Sequence, residues 1–302
     1  MYRGWNVAVL CIPFTLTLSL TGLAVEPVQD SVGKPAPRQS LWNGHAPIGG
    51  GKFEDGDAWI TVHRPTNSNG TAIVICPGRG YGVLVKGAEG HGIAKWLNGH
   101  GITGVVLENR LRKGRSLVHL LDARQAIRTV RANANEWSIE PTRIDIMGFS
   151  AGGHVASTAG THYDAGDRDA DTVEARTSCR PDFMVLVYPV ISMNATTHRG
   201  CRINLLGKDA SAELVELFSN EKHVTPRTPP AFMAHAKDDK AVSCDQSKMF
   251  HEALGRHKVA SKYLELPSGG HGLNGYKGPM WDAWQSQSLA WLGKLELNLK
   301  GR

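Results

Sequence analysis

Short apolar segments alternate with longer segments of helical periodicity along most of this chain. Continuous apolar runs are typical of strands buried in a parallel sheet, whereas apolar residues spaced three and four apart are typical of helices. Leu120, Ala123, Ile127 and Val130 follow the helical spacing. The predicted strands are Asp57–His63, Thr71–Cys76, Ile102–Leu107, Arg143–Met147, Phe183–Val190, Ala231–Ala236 and Ala260–Leu266.

Helices are predicted between these strands, and the alternation indicates an α/β domain with a mainly parallel sheet and helices on both faces. Residues 41–56 are expected to be irregular, and residues 161–180 to form a surface loop. The aspartates of that loop offer calcium ligands, but a solvated loop is preferred. A long insertion, Ile191–Pro230, has one predicted helix. The predicted helices are Gly90–Asn98, Leu117–Glu136, Ala151–Ala159, Ala210–Phe218, Ser243–His257 and Met280–Leu297, the last with Trp284, Trp291, Leu292 and Leu295 facing inward.

The first residues predict export from the cytoplasm. Arg3 precedes an apolar run, Trp5–Leu20, and two small residues, Gly22 and Ala24, follow it. This order is typical of a secretory signal peptide, and the alternative is a membrane anchor. No later stretch is long and apolar enough to span a membrane. We therefore predict a secreted or periplasmic protein without stable membrane insertion after signal cleavage, in three parts: a signal peptide over 1–24, a flexible leader over 25–40 and one domain over 41–302.

The net charge narrows the possible partners only slightly. The 302 residues carry a formal charge of +6, and most basic residues are scattered, so nothing resembles a nucleic-acid-binding module. One basic cluster stands out, formed by Arg110, Arg112, Lys113 and Arg115. We interpret this cluster as a solvated loop, with contact to an anionic substrate group as the alternative.

The chain has five cysteines, and an exported protein can pair them. We expect Cys76, at the end of a buried strand, to be a free core thiol. Cys201 and Cys244 both follow the carboxyl ends of predicted strands, so we expect any disulfide to join these two. Neither Cys-x-x-Cys nor His-Glu-x-x-His spacing is present, and we predict no metal and no cofactor.

The first sign of chemistry follows the strand Arg143–Met147. Gly148, Ser150 and Gly152 match the pattern G-x-S-x-G, in which a serine stands on a tight turn between a strand and a helix. Glycine is needed at both flanking positions because larger side chains would collide where the strand and the helix pass each other. The turn also leaves Ser150 near a helix N-terminus, whose N–H groups favour a developing negative charge. By itself the pattern is weak, since an ordinary Gly-Ser turn also matches it.

A serine hydroxyl needs a base and an orienting acid to act as a nucleophile. Candidates for both follow later strands, in the order serine, aspartate, histidine that this architecture uses. Asp238 and Asp239 follow Ala231–Ala236, and His271 lies in a glycine-rich turn after Ala260–Leu266. We predict His271 as the base, with a surface histidine as the alternative. We favour Asp239 as the acid and interpret the other aspartate as a turn residue that bonds its own backbone.

Backbone N–H groups are also needed where the negative oxygen of a tetrahedral intermediate forms. Ala151, directly after the serine, supplies one such group. The turn Gly78-Arg79-Gly80 is predicted to supply the other, through Arg79 or Gly80, although an ordinary glycine-rich connection is the alternative. Nearby, Glu89 and His91 are interpreted as helix-capping residues and His154 as a packing residue. The ordered set of motifs predicts a serine hydrolase.

These motifs resemble those of the α/β-hydrolase superfamily. The resemblance rests on the serine turn, on Val74–Tyr81, on Glu89-Gly90-His91, on Phe183–Pro189 and on the Gly-Gly-His-Gly turn, and it extends from about Leu41 to Lys294. Within the superfamily these motifs are similar to exported acetyl xylan esterases and to the related bifunctional feruloyl and acetyl xylan esterases.

The resemblance implies the α/β-hydrolase fold and a catalytic domain in which Ser150 is the nucleophile, Asp239 the acid and His271 the base. It implies that the oxyanion donors are the N–H groups of Arg79 or Gly80 and of Ala151. Relatives commonly have a glycine where this chain has Arg79. A backbone donor survives this difference, but the arginine side chain is expected to narrow the pocket or to contact an anionic group of the substrate.

The resulting expectation is a secreted serine hydrolase of carboxylic esters that deacetylates polysaccharide through an acyl-enzyme. Its partner is then a small-molecule or polysaccharide ester. The insertion Ile191–Pro230 is expected to overhang the site and to decide which of these substrates the site accepts. An exported peptidase, a general small-ester esterase or lipase, and a catalytically inactive carbohydrate-binding relative are the alternatives. Glycoside cleavage is a weaker alternative, because no pair of carboxylates can be placed for it.

Overall fold

Within the described residues, the fold is built on an eight-stranded sheet whose central strands form where apolar runs predicted them. The computed structural model describes Met1 and residues 37–111, 113–194 and 196–300, with side chains as far as residue 295. The first two strands pair antiparallel and the remaining strands pair in parallel. Across the sheet the order is β1 (Arg38–Ser40), β4 (Trp59–His63), β6 (Thr103–Glu108), β5 (Ala72–Cys76), β7 (Ile144–Phe149), β8 (Met184–Val187), β9 (Ala231–Ala236) and β10 (Ser261–Leu266).

The edge strand β1 lies where a flexible leader was predicted. Its backbone pairs antiparallel with β4. The Arg38 guanidinium donates to the Glu108 carboxylate at 3.0 and 3.1 Å and lies 4.3 Å from the centroid of the Trp59 ring. The leader prediction is therefore wrong for residues 38–40, because partners distant in sequence order this segment. The remainder of the leader before Pro37 and the predicted signal peptide, apart from Met1, lie outside the described residues.

A two-stranded antiparallel sheet occupies the region that was expected to be irregular. It consists of β2 (His45–Gly49) and β3 (Lys52–Asp55). Gly49, Gly50 and Gly51 have positive φ angles of 97°, 59° and 71°, a conformation that glycine adopts without steric cost. The glycine run is thus the tight connection of a hairpin.

Helices cover both faces of the main sheet, as predicted. They are α1 (Gly92–Asn98), α2 (Ser116–Ala132), α3 (Ala151–Thr161), α4 (Val173–Arg176), α5 (Arg199–Leu206), α6 (Ala212–Leu217), α7 (Asp245–Arg256), α8 (Leu273–Tyr276) and α9 (Pro279–Lys300). Alternate strand residues point to opposite faces, so that Val74 packs in a core with α2 and α3, whereas Ile73 and Ile75 pack in a core with α1 and α9. Trp284 and Leu292 of α9 are buried, as predicted. Among the described helices, none combines the length and the apolar character that a membrane span requires.

In the insertion Ile191–Pro230, α6 forms where a helix was predicted, but α5 was not predicted. The sequence of α5 contains Gly200 and lacks a long apolar stripe, so its periodicity is weak. His198 begins the helix by accepting the N–H of Cys201 on Nδ1 at 3.1 Å. The side-chain amide of Asn204 donates to Gly80 O at 2.7 Å, which places α5 against the turn after β5.

The four cysteines in the described residues are free. Cys76 is a fully buried thiol, as predicted. The expected pair of Cys201 and Cys244 is wrong, because the two side chains lie in different surroundings. Cys201 packs in the core that contains Tyr81, whereas Cys244 lies outside that core and directly precedes α7.

The basic cluster after β6 is not simply a solvated loop. Arg110 is 5% exposed, and its guanidinium donates to the buried Asp122 carboxylate at 2.7 Å. Arg115 is exposed and pairs with Glu54 at 2.8 Å. The solvated-loop prediction is wrong for Arg110, since a buried charge requires a partner of this kind.

Candidate active site

Ser150 lies on a strained turn between β7 and α3. Its φ of 53° and ψ of −119° are values that few residues other than glycine adopt. A Cβ atom on Gly148 would lie 2.1 Å from Gly152 O, and a Cβ atom on Gly152 would lie 2.0 Å from Cys76 O. Both distances are far below van der Waals contact. The two glycines are therefore required by the close passage of α3 over β7 and β5.

The structure brings Ser150, His271 and Asp239 into one hydrogen-bonded chain. The Oγ atom of Ser150 lies 2.9 Å from Nε2 of His271, and Nδ1 of His271 lies 2.7 Å from Oδ2 of Asp239. The three residues follow β7, β10 and β9, whose carboxyl ends meet at one edge because these strands run parallel. The imidazole is thus within hydrogen-bond reach of the hydroxyl, and a carboxylate orients the imidazole from behind.

The surroundings of Asp239 keep its carboxyl ionised. Its Oδ1 accepts the N–H groups of Ala241 and Val242 at 2.9 and 3.0 Å, and its Oδ2 lies 3.3 Å from Nε2 of His235. Burial raises the pKa of Asp239, but the hydrogen bonds from His235, His271 and Val242 outweigh burial and hold this pKa well below its usual range. Asp239 is therefore negatively charged beside the imidazole at neutral pH.

Asp238 contacts the loop of His271 instead of the imidazole. Its Oδ1 accepts the N–H of Gly270 at 2.8 Å, and its Oδ2 accepts the N–H of Gly269 at 3.3 Å. It was expected to bond its own backbone, but it connects the loop after β9 to the loop after β10. The φ angles of Gly269 and Gly270 are 124° and 56°, so this turn needs glycine.

The turn after β5 lies against the serine, since a Cβ atom on Gly78 would lie 2.9 Å from Cβ of Ser150. Arg79 and Gly80 have positive φ angles of 106° and 67°. The carbonyl groups of this turn are engaged, since Gly78 O accepts the N–H of Val85 and Gly80 O accepts the Asn204 amide. In the part of the chain that the structure describes, the N–H groups of Arg79, Gly80 and Ala151 make no hydrogen bond. These three groups are therefore free to donate to an oxyanion.

A small cleft opens beside these donors. Its walls are Pro77 and Gly78, the start of α3, and the side chains of Leu84, Leu111 and Val155. Its volume is about 10 Å³, roughly the space that one water molecule needs. The cleft is lined mainly by apolar groups and is open to solvent on one side.

Glu89 reaches this site, although the sequence suggested a capping role. Its side chain caps no helix: Oε2 accepts the N–H of Gly78 at 2.7 Å, and Oε1 accepts the hydroxyl of Tyr188 at 3.0 Å. The ring of Tyr188 in turn contacts His271, with 4.9 Å between ring centroids. His91 occupies the N-cap position of α1, as predicted, but its side chain makes no capping hydrogen bond, and its Nδ1 lies 3.0 Å from Nε2 of His63. No pattern in the sequence pointed to Tyr188.

His154 packs, as predicted. It is 1% exposed, its Nδ1 lies 2.7 Å from the Tyr81 hydroxyl, and its Nε2 lies 2.8 Å from Phe218 O. Burial lowers the pKa of His154 to about 4, so its ring is neutral at physiological pH. Among the residues that the structure describes, no group of three or more His, Cys, Asp or Glu side chains is arranged to hold a metal ion.

The matches to known proteins agree with this fold. The model of the BD-FAE family matches residues 89–254, more than half of the 302 residues. The chain belongs to the BD-FAE family of α/β-hydrolases. The BD-FAE chain is 34% identical to the acetyl ester-xyloside bifunctional hydrolase of Caldicellulosiruptor lactoaceticus, with a TM-score of 0.77 over 83% of this chain and 96% of that one. A carboxylesterase of Lactobacillus plantarum WCFS1 is 25% identical, with a TM-score of 0.67 over 80% of this chain and 94% of that one. The predicted α/β-hydrolase fold is confirmed.

Two curated relatives of this BD-FAE chain are longer proteins. An acetylxylan esterase of Xylanibacter ruminicola is 35% identical over 225 residues, which are 73% of this chain and 44% of that protein. Endo-1,4-beta-xylanase B of Butyrivibrio fibrisolvens is 35% identical over 165 residues, which are 55% of this chain and 26% of that protein. The chain thus spans less than half the length of both. The names of the acetylxylan esterase and the carboxylesterase agree with the predicted class, a hydrolase of carboxylic esters.

Proposed function

We propose that this chain is a serine hydrolase that removes acetyl groups from polysaccharide through an acyl-enzyme. The observation that carries the proposal is the hydrogen-bonded chain of Ser150, His271 and Asp239 beside N–H groups without a partner in the described residues. The acetylxylan esterase among its relatives supports acetylated xylan as the substrate class.

In the proposed mechanism, Oγ of Ser150 attacks the carbonyl carbon of the ester while Nε2 of His271 takes the hydroxyl proton. Asp239 keeps the other imidazole proton on Nδ1 and stabilises the imidazolium. The carbonyl oxygen becomes an oxyanion that accepts the N–H of Ala151 and that of Arg79 or Gly80. His271 then returns the proton to the departing alcohol. Water, activated by the same imidazole, releases acetate from the serine.

The small cleft supports a short acyl group. The carbonyl carbon of the ester carries the acyl chain on one side and the alcohol on the other, and the cleft beside Ala151 is the place that we propose for the acyl chain. Its small volume of about 10 Å³ favours an acetyl group over an octanoyl chain. This argument concerns the acyl group and does not identify the alcohol part of the ester, so a general esterase for small acetyl esters is the second candidate function.

Hydrolysis of p-nitrophenyl acetate and p-nitrophenyl octanoate, beside the Ser150→Ala variant, tests the chemistry. We expect activity on the acetate ester, little on the octanoate ester, and loss of both in the variant. Release of acetate from acetylated xylan then tests the substrate class. An enzyme that cleaves p-nitrophenyl acetate but releases no acetate from the polysaccharide is the general esterase. If a fluorophosphonate fails to label the chain, the inactive carbohydrate-binding alternative replaces both.

We also propose that the chain is exported. The motivation is the apolar N-terminal run followed by small residues, which is typical of a cleaved signal peptide. Cleavage after Ala24 leaves Val25 as the first residue of the exported protein. N-terminal sequencing of protein recovered outside the cytoplasm checks this position, and an uncleaved Met1 in that fraction would contradict it.

A further inference from the structure

A buried carboxylate lies directly behind the turn that carries the proposed oxyanion donors. Glu89 is 3% exposed, and its Oε2 accepts the N–H of Gly78 at 2.7 Å. A Cβ atom on Gly78 would lie 3.0 Å from this oxygen and 2.9 Å from Cβ of Ser150. Only a glycine therefore fits between the Glu89 carboxylate and the nucleophile.

A tyrosine holds the other oxygen of the same carboxylate. The Tyr188 hydroxyl donates to Oε1 at 3.0 Å, and Tyr276 lies near enough to lower the pKa of Glu89. Tyr188 packs its ring against His271, and Tyr276 belongs to the turn that follows His271. Burial raises the pKa of Glu89 above its usual value, and the hydrogen bonds from Gly78 and Tyr188 oppose this rise only in part. The carboxylate thereby links the turn after β5 to the histidine loop.

We propose that Glu89 is a positioning residue for the oxyanion hole. By accepting the N–H of Gly78, it holds the first peptide of the turn so that the N–H groups of Arg79 and Gly80 remain directed at the oxyanion. The turn needs this restraint because positive φ is unfavourable at Arg79. From the outer side, Asn204 restrains the same turn through Gly80 O. The inference rests on the proposed function, and Glu89 touches no reacting atom.

The test compares wild type with Glu89→Ala, which removes the acceptor, and Glu89→Gln, which retains an oxygen for Gly78. Tyr188→Phe removes one donor to the carboxylate but keeps the ring beside His271, and the exposed Glu136→Gln is the control. We measure kcat and KM on p-nitrophenyl acetate, the rate of labelling by a fluorophosphonate, and the affinity for a trifluoromethyl ketone. The ketone forms a tetrahedral adduct with a nucleophilic serine, so its affinity reports on the oxyanion hole.

We expect Glu89→Ala to lower kcat about 10- to 100-fold with KM unchanged, somewhat less than the roughly 10²–10³-fold cost of losing an oxyanion donor itself. Ketone affinity falls by the same factor. Glu89→Gln retains most of the wild-type kcat and ketone affinity, Tyr188→Phe loses several-fold in both, and the control Glu136→Gln loses neither. A folded Glu89→Ala with wild-type kcat and ketone affinity overturns the inference, as does a loss of kcat with unchanged ketone affinity. If Glu89→Ala does not fold, Tyr188→Phe decides in the same way.

None of these measurements depends on the natural substrate. If wild type reacts with the fluorophosphonate but releases no acetate from xylan, the substrate proposal fails and ketone affinity still decides the role of Glu89. If wild type neither reacts with the fluorophosphonate nor binds the ketone, both the function and the role of Glu89 are refuted.

Discussion

Replacing Asp239 by asparagine tests the hydrogen-bonded chain directly, because the surrounding backbone dictates how the new amide must sit. The N–H groups of Ala241 and Val242 donate to Oδ1, so the amide oxygen must occupy that position. The amide NH₂ then takes the place of Oδ2, which lies 2.7 Å from Nδ1 of His271. A donor at this place forces the imidazole proton onto Nε2. His271 can then no longer take a proton from Ser150.

The size of the effect follows from the lost tautomer. The equivalent change in a serine protease lowers kcat by about 10⁴, which is about 5 kcal/mol in the barrier. We expect the same fall in kcat on p-nitrophenyl acetate for Asp239→Asn, with KM little changed. Asp238→Asn is the matched control, because Asp238 bonds only the N–H groups of Gly269 and Gly270. There we expect a loss of no more than about tenfold, or about 1.4 kcal/mol.

The assay is a steady-state measurement at saturating ester, with thermal unfolding to show that both variants fold. A folded Asp239→Asn that retains more than about a tenth of the wild-type kcat, a deficit below about 1.4 kcal/mol, would refute the assigned orientation of the imidazole. So would an equal loss in both variants, because only one of the two carboxylates contacts His271.

Three further predictions concern stability and specificity. Gly152→Ala should unfold at lower temperature and lose labelling by a fluorophosphonate, since its Cβ would lie 2.0 Å from Cys76 O. The Cβ of the control Gly255→Ala, on α7, would meet no atom within 4 Å, so this variant should gain about 0.5–1 kcal/mol in free energy of unfolding, and equal melting temperatures of the two variants would contradict the argument. The pKa of Asp239 is lower in the folded state than in the unfolded state, so its stabilising contribution is complete above the unfolded pKa of about 3.9 and is lost as pH falls below that value. In urea unfolding, the difference in free energy of unfolding between wild type and Asp239→Asn should become smaller in acid, and a larger difference would contradict the depressed pKa. Val155→Ala widens the cleft and should raise kcat/KM for p-nitrophenyl octanoate relative to acetate several-fold, and an unchanged ratio would show that the acyl chain lies elsewhere.

The core strands and the approximate position of the site were accessible from the sequence. Strands buried on both faces are mostly apolar, and β5, β7 and β9 stand out for this reason, although β7 and β9 each contain one buried polar residue, Asp145 and His235. Parallel strands place their carboxyl ends at one edge, so motifs that follow such strands are neighbours whatever their separation along the chain. The collision that makes Gly148 necessary is local, because it involves Gly152, whereas Gly152 is required by a collision with Cys76 of the neighbouring strand β5.

Other features depend on contacts that no local pattern records. Asp238 and Asp239 are adjacent and chemically identical, and only the packing of two loops decides which one bonds His271. In the sequence Glu89 has the features of a helix-capping residue, and only the folded chain brings its carboxylate against the N–H of Gly78. The edge strand β1 and helix α5 are ordered by distant partners, as the bond from Asn204 to Gly80 shows. The sequence by itself therefore determined the central strands, most of the helices and the identity of the chemical groups. The tertiary structure decided which of those groups meet, because hydrogen bonding and burial depend on distances that only the folded chain defines.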